Sequence, residues 1–146
     1  MEDVTGVESN VVIRLVDAWD EGEIVYLYRA GGWWKDEYDP ASIPALIRGS
    51  FAFAVAIDTG TGRAVGMGRV LSDGISDGYI QDLVVLPEFR KQGIGKEIVA
   101  ALLRKCTDAG ITWVSLIAEP GTESFYFPQG FKPMQGYVPL LWTGDC

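Results

Sequence analysis

The stretch from Tyr79 to Lys96, YIQDLVVLPEFRKQGIGK, limits most tightly what this chain can become. Tyr79 to Leu86 is apolar, β-branched or aromatic apart from Gln81 and Asp82, and Pro87 removes a ladder donor at its end, so the run reads as a buried strand. After the turn Arg90-Lys91-Gln92-Gly93-Ile94-Gly95, apolar residues recur at Ile94, Ile98, Leu102 and Cys106, the spacing of one helix face. Gly93 and Gly95 therefore stand at a helix N-terminus. There the first N–H groups have no intrahelical partner and the macrodipole adds about half a positive charge, so main chain alone can bind an anion. Glycine lets phosphate oxygens approach the backbone, and Arg90, Lys91 and Lys96 add charge, so the stretch predicts a pyrophosphate loop.

Two other phosphate loops are excluded by single residues. A Walker loop needs Gly at the position of Arg90 and Ser or Thr at that of Glu97; a dinucleotide fingerprint needs Gly where Ile98 stands. What Arg90-x-x-Gly93-x-Gly95 does resemble, after YIQDLVVLP, is the coenzyme A loop of the GNAT N-acetyltransferases, Gln or Arg-x-x-Gly-x-Gly or Ala. Downstream, Ser124-Phe125-Tyr126-Phe127-Pro128-Gln129-Gly130-Phe131 is similar to that family's second signature, an aromatic-Tyr pair followed by Gly-Phe. The two signatures span Tyr79 to Phe131; upstream, only the order of elements matches. The resemblance implies an α/β fold, one GNAT-like domain over residues 1–146, with a mixed twisted sheet of six to seven strands and helices on both faces. It implies acetyl-CoA as cofactor, held by Leu83, Val84 and Val85 of the strand, by Arg90, Lys91, Gln92, Gly93, Ile94, Gly95 and Lys96 of the loop, and by Tyr126.

Composition agrees with one domain: 146 residues, 48% hydrophobic, support a real core but not two ordinary ones. A net charge of −8, from 20 acidic against 12 basic residues, argues against nucleic acid or an anionic membrane as principal partner. Cys106 and Cys146 do not make a disulfide framework, the opening MEDVTGVESN is acidic and polar, and no run approaches about 18 apolar residues, so a reducing, cytoplasmic setting is expected. The chain has no histidine, which excludes Ser-His and Cys-His nucleophile pairs and His-based zinc sites; no metal is expected. Acid and base work falls to carboxylate, Tyr, Lys, Cys or water.

Along the chain, residues 1–10 read as a flexible lead-in and Val11–Val16 as an edge or near-edge strand. Asp17 or Asp20 caps a helix to about Ala30, and a short helix from Ser42 to Arg48 follows the aromatic loop. Phe51–Asp58 and Arg63–Leu71 form a hairpin that leads into the Tyr79 strand, and a helix from Gly93 to Ala109 crosses over to a parallel strand at Trp113–Ala118. Thr122-Glu123 opens a short helix, and Phe131–Trp142 is expected to supply one or two closing strands.

Acetyl transfer from a thioester to an amine needs a polarised carbonyl, a neutral amine and a protonated leaving thiolate. By resemblance, a backbone N–H near Val85 polarises the carbonyl and Tyr126 is the acid; a core aromatic is the other reading of Tyr126. The similar strand of spermidine/spermine acetyltransferases has Glu where this chain has Gln81, so base work passes to Asp82, Tyr79 or a water chain. Asp82 reads equally well as a structural acceptor, and adjacent strand residues such as Gln81 and Asp82 line one pocket only if a bulge intervenes. Trp33, Trp34 and Tyr38, in a loop with Lys35, Asp36, Glu37 and Asp39, read as an acceptor wall together with Tyr79, or as a lid over the core. Acidic residues crowd the N-terminal part while Arg90, Lys91, Lys96, Arg104 and Lys105 gather on the cofactor side, which suits a cationic amine. The expected activity is acetylation of a small primary amine. A protein N-terminal or lysine acetyltransferase and a non-catalytic acyl-CoA-binding module stay open, as does a homodimer.

Overall fold

A computed structural model describes residues 10–145 of the chain. Its sheet is built by a meander: β1 (Val11–Leu15), β2 (Ala52–Asp58), β3 (Arg63–Leu71) and β4 (Asp77–Val85) are antiparallel in that order, and β5 (Trp113–Ser115) adds parallel to β4. Between β1 and β2 lie α1 (Glu21–Ala30) and α2 (Ile43–Gly49); α3 (Ile94–Asp108) makes the crossover from β4 to β5. The chain divides after Ser115 into two compact units, the first holding the sheet and α1 to α3, the second beginning at Leu116 and holding α4 (Glu123–Tyr126).

Each helix starts where local chemistry allows it. The Asp20 carboxylate accepts from the Glu23 N–H at 3.0 Å and caps α1, whose buried side is Ile24, Leu27 and Tyr28. The α3 face expected from the sequence, with Val99 added, is buried against the sheet: Ile94, Ile98, Leu102 and Cys106 are all at most 3% exposed. Glycine sets how closely α3 lies. A Cβ on Gly68 would stand 3.0 Å from Ile98 Cγ2, and one on Gly66 would stand 3.2 Å from Ile98 Cδ1. Successive strand residues point to opposite faces, so Arg69 turns away from α3 to the side where Tyr28 of α1 lies.

Three expectations differ from the structure. The described residues form five strands, not six to seven, and no strand forms in the tail expected to close the sheet. Pro133 and Pro139 interrupt Phe131–Trp142 and remove ladder donors, a turn brings the Tyr137 N–H to Met134 O at 3.1 Å, and Tyr137, Val138, Leu140, Leu141 and Trp142 are exposed. The parallel strand expected over Trp113–Ala118 stops at Ser115. The flexible lead-in expected for residues 1–10 lies outside the described residues except for Asn10, whose carbonyl accepts from the Thr59 N–H and hydroxyl, both at 2.8 Å.

Candidate active site

The ladder between β3 and β4 is interrupted. Met67 pairs with Val84 and Arg69 with Gln81, so Asp82 and Leu83 together oppose Gly68 and make a bulge. Asp82 sits at φ +61°, a left-handed conformation that costs a non-glycine residue about 1 to 3 kcal/mol and needs support from its surroundings. Two donors converge on its Oδ2: Arg69 Nε at 2.8 Å and the Tyr28 hydroxyl at 2.7 Å. The same guanidinium donates through Nη2 to Gln81 Oε1 at 3.1 Å and through Nη1 to Ser50 Oγ at 3.4 Å. Arg69 and Asp82 side chains are 15% and 16% exposed, so this ion pair is screened far less than a surface one. The bulge thus does what regular alternation forbids, bringing Gln81 and Asp82 onto one guanidinium. Burial first, then the Asp82 charge and hydrogen bond, raise the Tyr28 pKa, partly offset by Arg69, and the phenol stays protonated well above neutrality.

The bulge also reverses which edge the backbone of β4 addresses. Val70 O accepts from the Phe51 N–H beside β2, so by alternation Arg69 and Leu71 address β4, and their partners Gln81 and Tyr79 address β3. Beyond the bulge, the Leu86 N–H donates to Val65 O at 2.9 Å, so the even-numbered residues Val84 and Leu86 now address β3. The N–H groups of Leu83 and Val85 are turned to the outer edge. There the β5 ladder has ended, its last pair being Tyr79 with Ser115, and among the described residues no strand of this sheet pairs with β4 from Gln81 onward.

Past Val85 the chain makes a single 3-10 turn, Pro87–Phe89, and Arg90 Nε donates back to Val85 O at 2.9 Å. Lys91 at φ +65° and Gly93 at φ +83° then curl the backbone into the start of α3, with Arg90, Lys91, Gln92 and Gly93 exposed. No side chain caps this helix, and its first bond is Glu97 N–H to Gly93 O at 3.1 Å, so the N–H groups of Ile94, Gly95 and Lys96 are left by helix geometry for a group outside it. The Ile94 side chain, 3% exposed, anchors the turn in the core, and a Cβ on Gly93 would meet nothing within 4 Å. The loop thus presents main-chain donors with Arg90 and Lys91 exposed beside them.

The aromatic loop after α1 gathers on Tyr28. Its ring lies 6.2 Å from those of Trp33 and Trp34, and Trp34 meets Tyr38 edge-on at 5.4 Å. Lys35 Nζ stands 6.0 Å over the Tyr38 ring, and Asp36 pairs with Arg29 at 3.4 Å in an exposed contact. Through Tyr28 this aromatic cluster is tied directly to Asp82. Tyr79, half-buried, stands two residues ahead of Gln81 and pairs with Leu71 and Ser115.

In the second unit, Tyr126 ends α4 and packs edge-on between Phe125, at 4.9 Å, and Phe131, at 5.7 Å. Burial, then the negative charge of Glu119, raise its pKa, which keeps the hydroxyl protonated and able to donate at neutral pH.

This mixed sheet, bulged strand and uncapped helix-start loop make an α/β domain with main-chain donors open to an anionic ligand, and the comparisons with known proteins give its family. The acetyltransferase (GNAT) family model matches residues 14–131, and the chain belongs to that family. It is 36% identical over 81 residues to an uncharacterized N-acetyltransferase ycf52 of Porphyra purpurea, covering 55% of this chain and 47% of that protein. The chain thus spans about half the length of the curated relatives it matches. Among solved structures, a GNAT family acetyltransferase of Streptococcus pneumoniae superposes with a TM-score of 0.76 at 25% identity, covering 90% of this chain and 96% of that one. AAC(6')-Iy, solved with the bisubstrate analog CoA-S-monomethyl-acetylneamine, superposes with a TM-score of 0.72 at 19% identity, covering 94% and 100%.

Sequence reasoning placed Gln81 and Asp82 but missed Tyr28, Ser50 and Arg69. For Arg69 a signal existed: it is the one charge after the first residue of an otherwise apolar, glycine-containing strand, RAVGMGRVL, and a charge there needs a partner.

Proposed function

We propose that this protein is an acetyl-CoA-dependent N-acetyltransferase whose acceptor is a small cationic primary amine. The observation that carries the reading is the outward Val85 N–H on an uncovered strand edge that runs directly into an uncapped helix-start loop. Those features fit the two ends of a coenzyme A thioester. The N–H groups of Ile94, Gly95 and Lys96, with Arg90 and Lys91 nearby, would hold the pyrophosphate, and the outer edge of β4 would pair with the extended arm. When bound, acetyl-CoA supplies the activated acyl group. The Val85 N–H, aimed at that edge, would donate to the carbonyl as charge develops on it.

For proton transfer the residues divide. Tyr126 keeps its proton at neutral pH and is the acid for the thiolate. Asp82 Oδ2 already accepts two hydrogen bonds, one from a guanidinium, which favours its structural reading over that of a free base. Gln81 has no proton-accepting form at neutral pH and would orient the amine or a water that removes its proton. The aromatic loop, with Asp36, Glu37 and Asp39 beside Trp34 and Tyr38, supports a cationic acceptor.

The test is free-thiol release from acetyl-CoA across a panel of small amines, peptides with free N-termini and lysine peptides. Turnover with small amines and little with peptides supports the reading. A preference for peptides replaces the acceptor class, and binding of acetyl-CoA without turnover on any acceptor replaces the enzyme by a binding module.

A further inference from the structure

We propose that Arg69 is a positioning residue for acetyl transfer: its guanidinium clamps the β4 bulge and so keeps the Val85 N–H facing the outer edge of the sheet. The proposal rests on the reading of that N–H as the donor to the acyl carbonyl.

The parity of β4 changes at the bulge. Before the bulge, the odd-numbered residues Tyr79 and Gln81 address β3; after it, the even-numbered Val84 and Leu86 do. In a regular strand Val85, being odd, would address β3 and its N–H would be consumed by the ladder. One extra residue is therefore the difference between an N–H offered to a ligand and one buried in the sheet. That extra residue is held against its own backbone preference, since Asp82 has φ +61° and lacks the freedom of glycine. Asp tolerates this region better than most residues, yet the conformation still costs about 1 kcal/mol or more, and contacts of its side chain offset that.

Arg69 reaches both sides of the bulge and the residue that ends α2. Nε holds Asp82 of the bulge at 2.8 Å, Nη2 holds Gln81 just before it at 3.1 Å, and Nη1 reaches Ser50 at the end of α2 at 3.4 Å. A planar fork can hold these three at once, whereas a lysine ammonium is a point donor on a flexible stem. Arg69 itself is fixed in register opposite Gln81, so its reach to Asp82 selects the bulged pairing over a regular one. Tyr28 supports the same oxygen from α1 through its hydroxyl, at 2.7 Å.

The experiment compares the parent with Arg69→Lys and Arg69→Met by amide hydrogen exchange, calorimetric titration with coenzyme A, and steady-state thiol release. In the parent, the Val84 and Leu86 amides, which face β3, exchange slowly, and those of Leu83 and Val85 exchange faster. In Arg69→Lys, which keeps the charge beside Asp82, the Val84 and Leu86 protection falls toward that of Leu83 and Val85 while β1 and β2 stay protected. Coenzyme A affinity falls less than kcat, because the α3 loop that holds the pyrophosphate is untouched while the β4 edge loses its pairing with the arm, and kcat falls about tenfold or more. Arg69→Met gives the same pattern more strongly if it folds; Arg69→Lys decides the matter if it does not. Unchanged β4 exchange in Arg69→Lys overturns the clamp. Altered exchange with unchanged kcat overturns its role in transfer. If the parent itself turns over no acceptor, the enzymatic reading fails, and the exchange arm still decides whether Arg69 holds the bulge.

Discussion

The Tyr28 hydroxyl donates to Asp82 Oδ2 at 2.7 Å, joining α1 to the bulge across 54 residues of sequence. The contact ties the aromatic loop that follows α1, through the Tyr28 ring beside Trp33 and Trp34, to the bulged strand.

Tyr28→Phe keeps the ring and its contacts with Trp33 and Trp34 and removes only this bond, which ends on a charged acceptor. The expected cost is about 1.5 to 3 kcal/mol of unfolding free energy, read by urea denaturation. The pH dependence has a definite sign. The folded Tyr28 pKa lies above the unfolded value of 10.0, so its contribution is fully present below pH 10 and drains as pH rises beyond it. The parent should lose stability more steeply than Tyr28→Phe between pH 10 and 11, and parallel curves would show that the phenol is not coupled to folding.

At the helix-start loop, space and charge can be separated. A Cβ on Gly93 meets no atom within 4 Å, so Gly93→Ala suffers only from φ +83°, at about 1 kcal/mol of stability, and should bind coenzyme A with modest loss. Gly93→Glu adds a negative charge where pyrophosphate is expected and should abolish binding with the fold intact. Calorimetry on both variants checks this; equal, parent-like affinities would remove the loop from the cofactor site.

Tyr126→Phe preserves the edge-on packing with Phe125 and Phe131 and deletes the donor. Turnover should fall about 100-fold or more while acetyl-CoA affinity scarcely changes. Unchanged turnover would leave Tyr126 as a packing residue.

For the acceptor, an alkylamine with a pKa near that of lysine, about 10, arrives charged and must lose a proton, so kcat/KM should rise about tenfold per pH unit above 7. Asp36 is 93% exposed on its side-chain and only loosely paired with Arg29, leaving it able to change partners. Replacing Asp36 by Asn together with Glu37 by Gln should raise the amine KM and flatten its dependence on salt, with kcat retained. A KM and salt dependence equal to the parent's would end the electrostatic argument.

The parts of this fold that were legible in the sequence are those decided locally. Asp20 caps α1 through a residue three positions on, and the four-residue apolar spacing of α3 needs nothing outside the helix to be recognised. The bulge is not of that kind, because it exists only where Arg69, Gln81, Asp82 and Tyr28 meet, and those residues come from three elements. Gln81-Asp82 announced polarity inside a strand but not which way either would point. The tail misled through composition: Tyr137, Val138, Leu140, Leu141 and Trp142 favour strands, yet Pro133 and Pro139 break the ladder they would need.

The bulge places an unusual demand on the length of the chain. A hairpin loop such as Thr59–Gly62 can lengthen by a residue at little cost, because nothing beyond it counts positions. Between Arg69's partner Gln81 and the helix-start loop, flattening the bulge without shortening the chain would turn the edge of the sheet inside out: the Leu86 N–H bond to Val65 would be lost and the Val85 N–H would face β3. Every side chain could survive such a slip in kind while the edge lost its addressable N–H, so over the residues from Gln81 to Leu86 the count and the bulge are specified together.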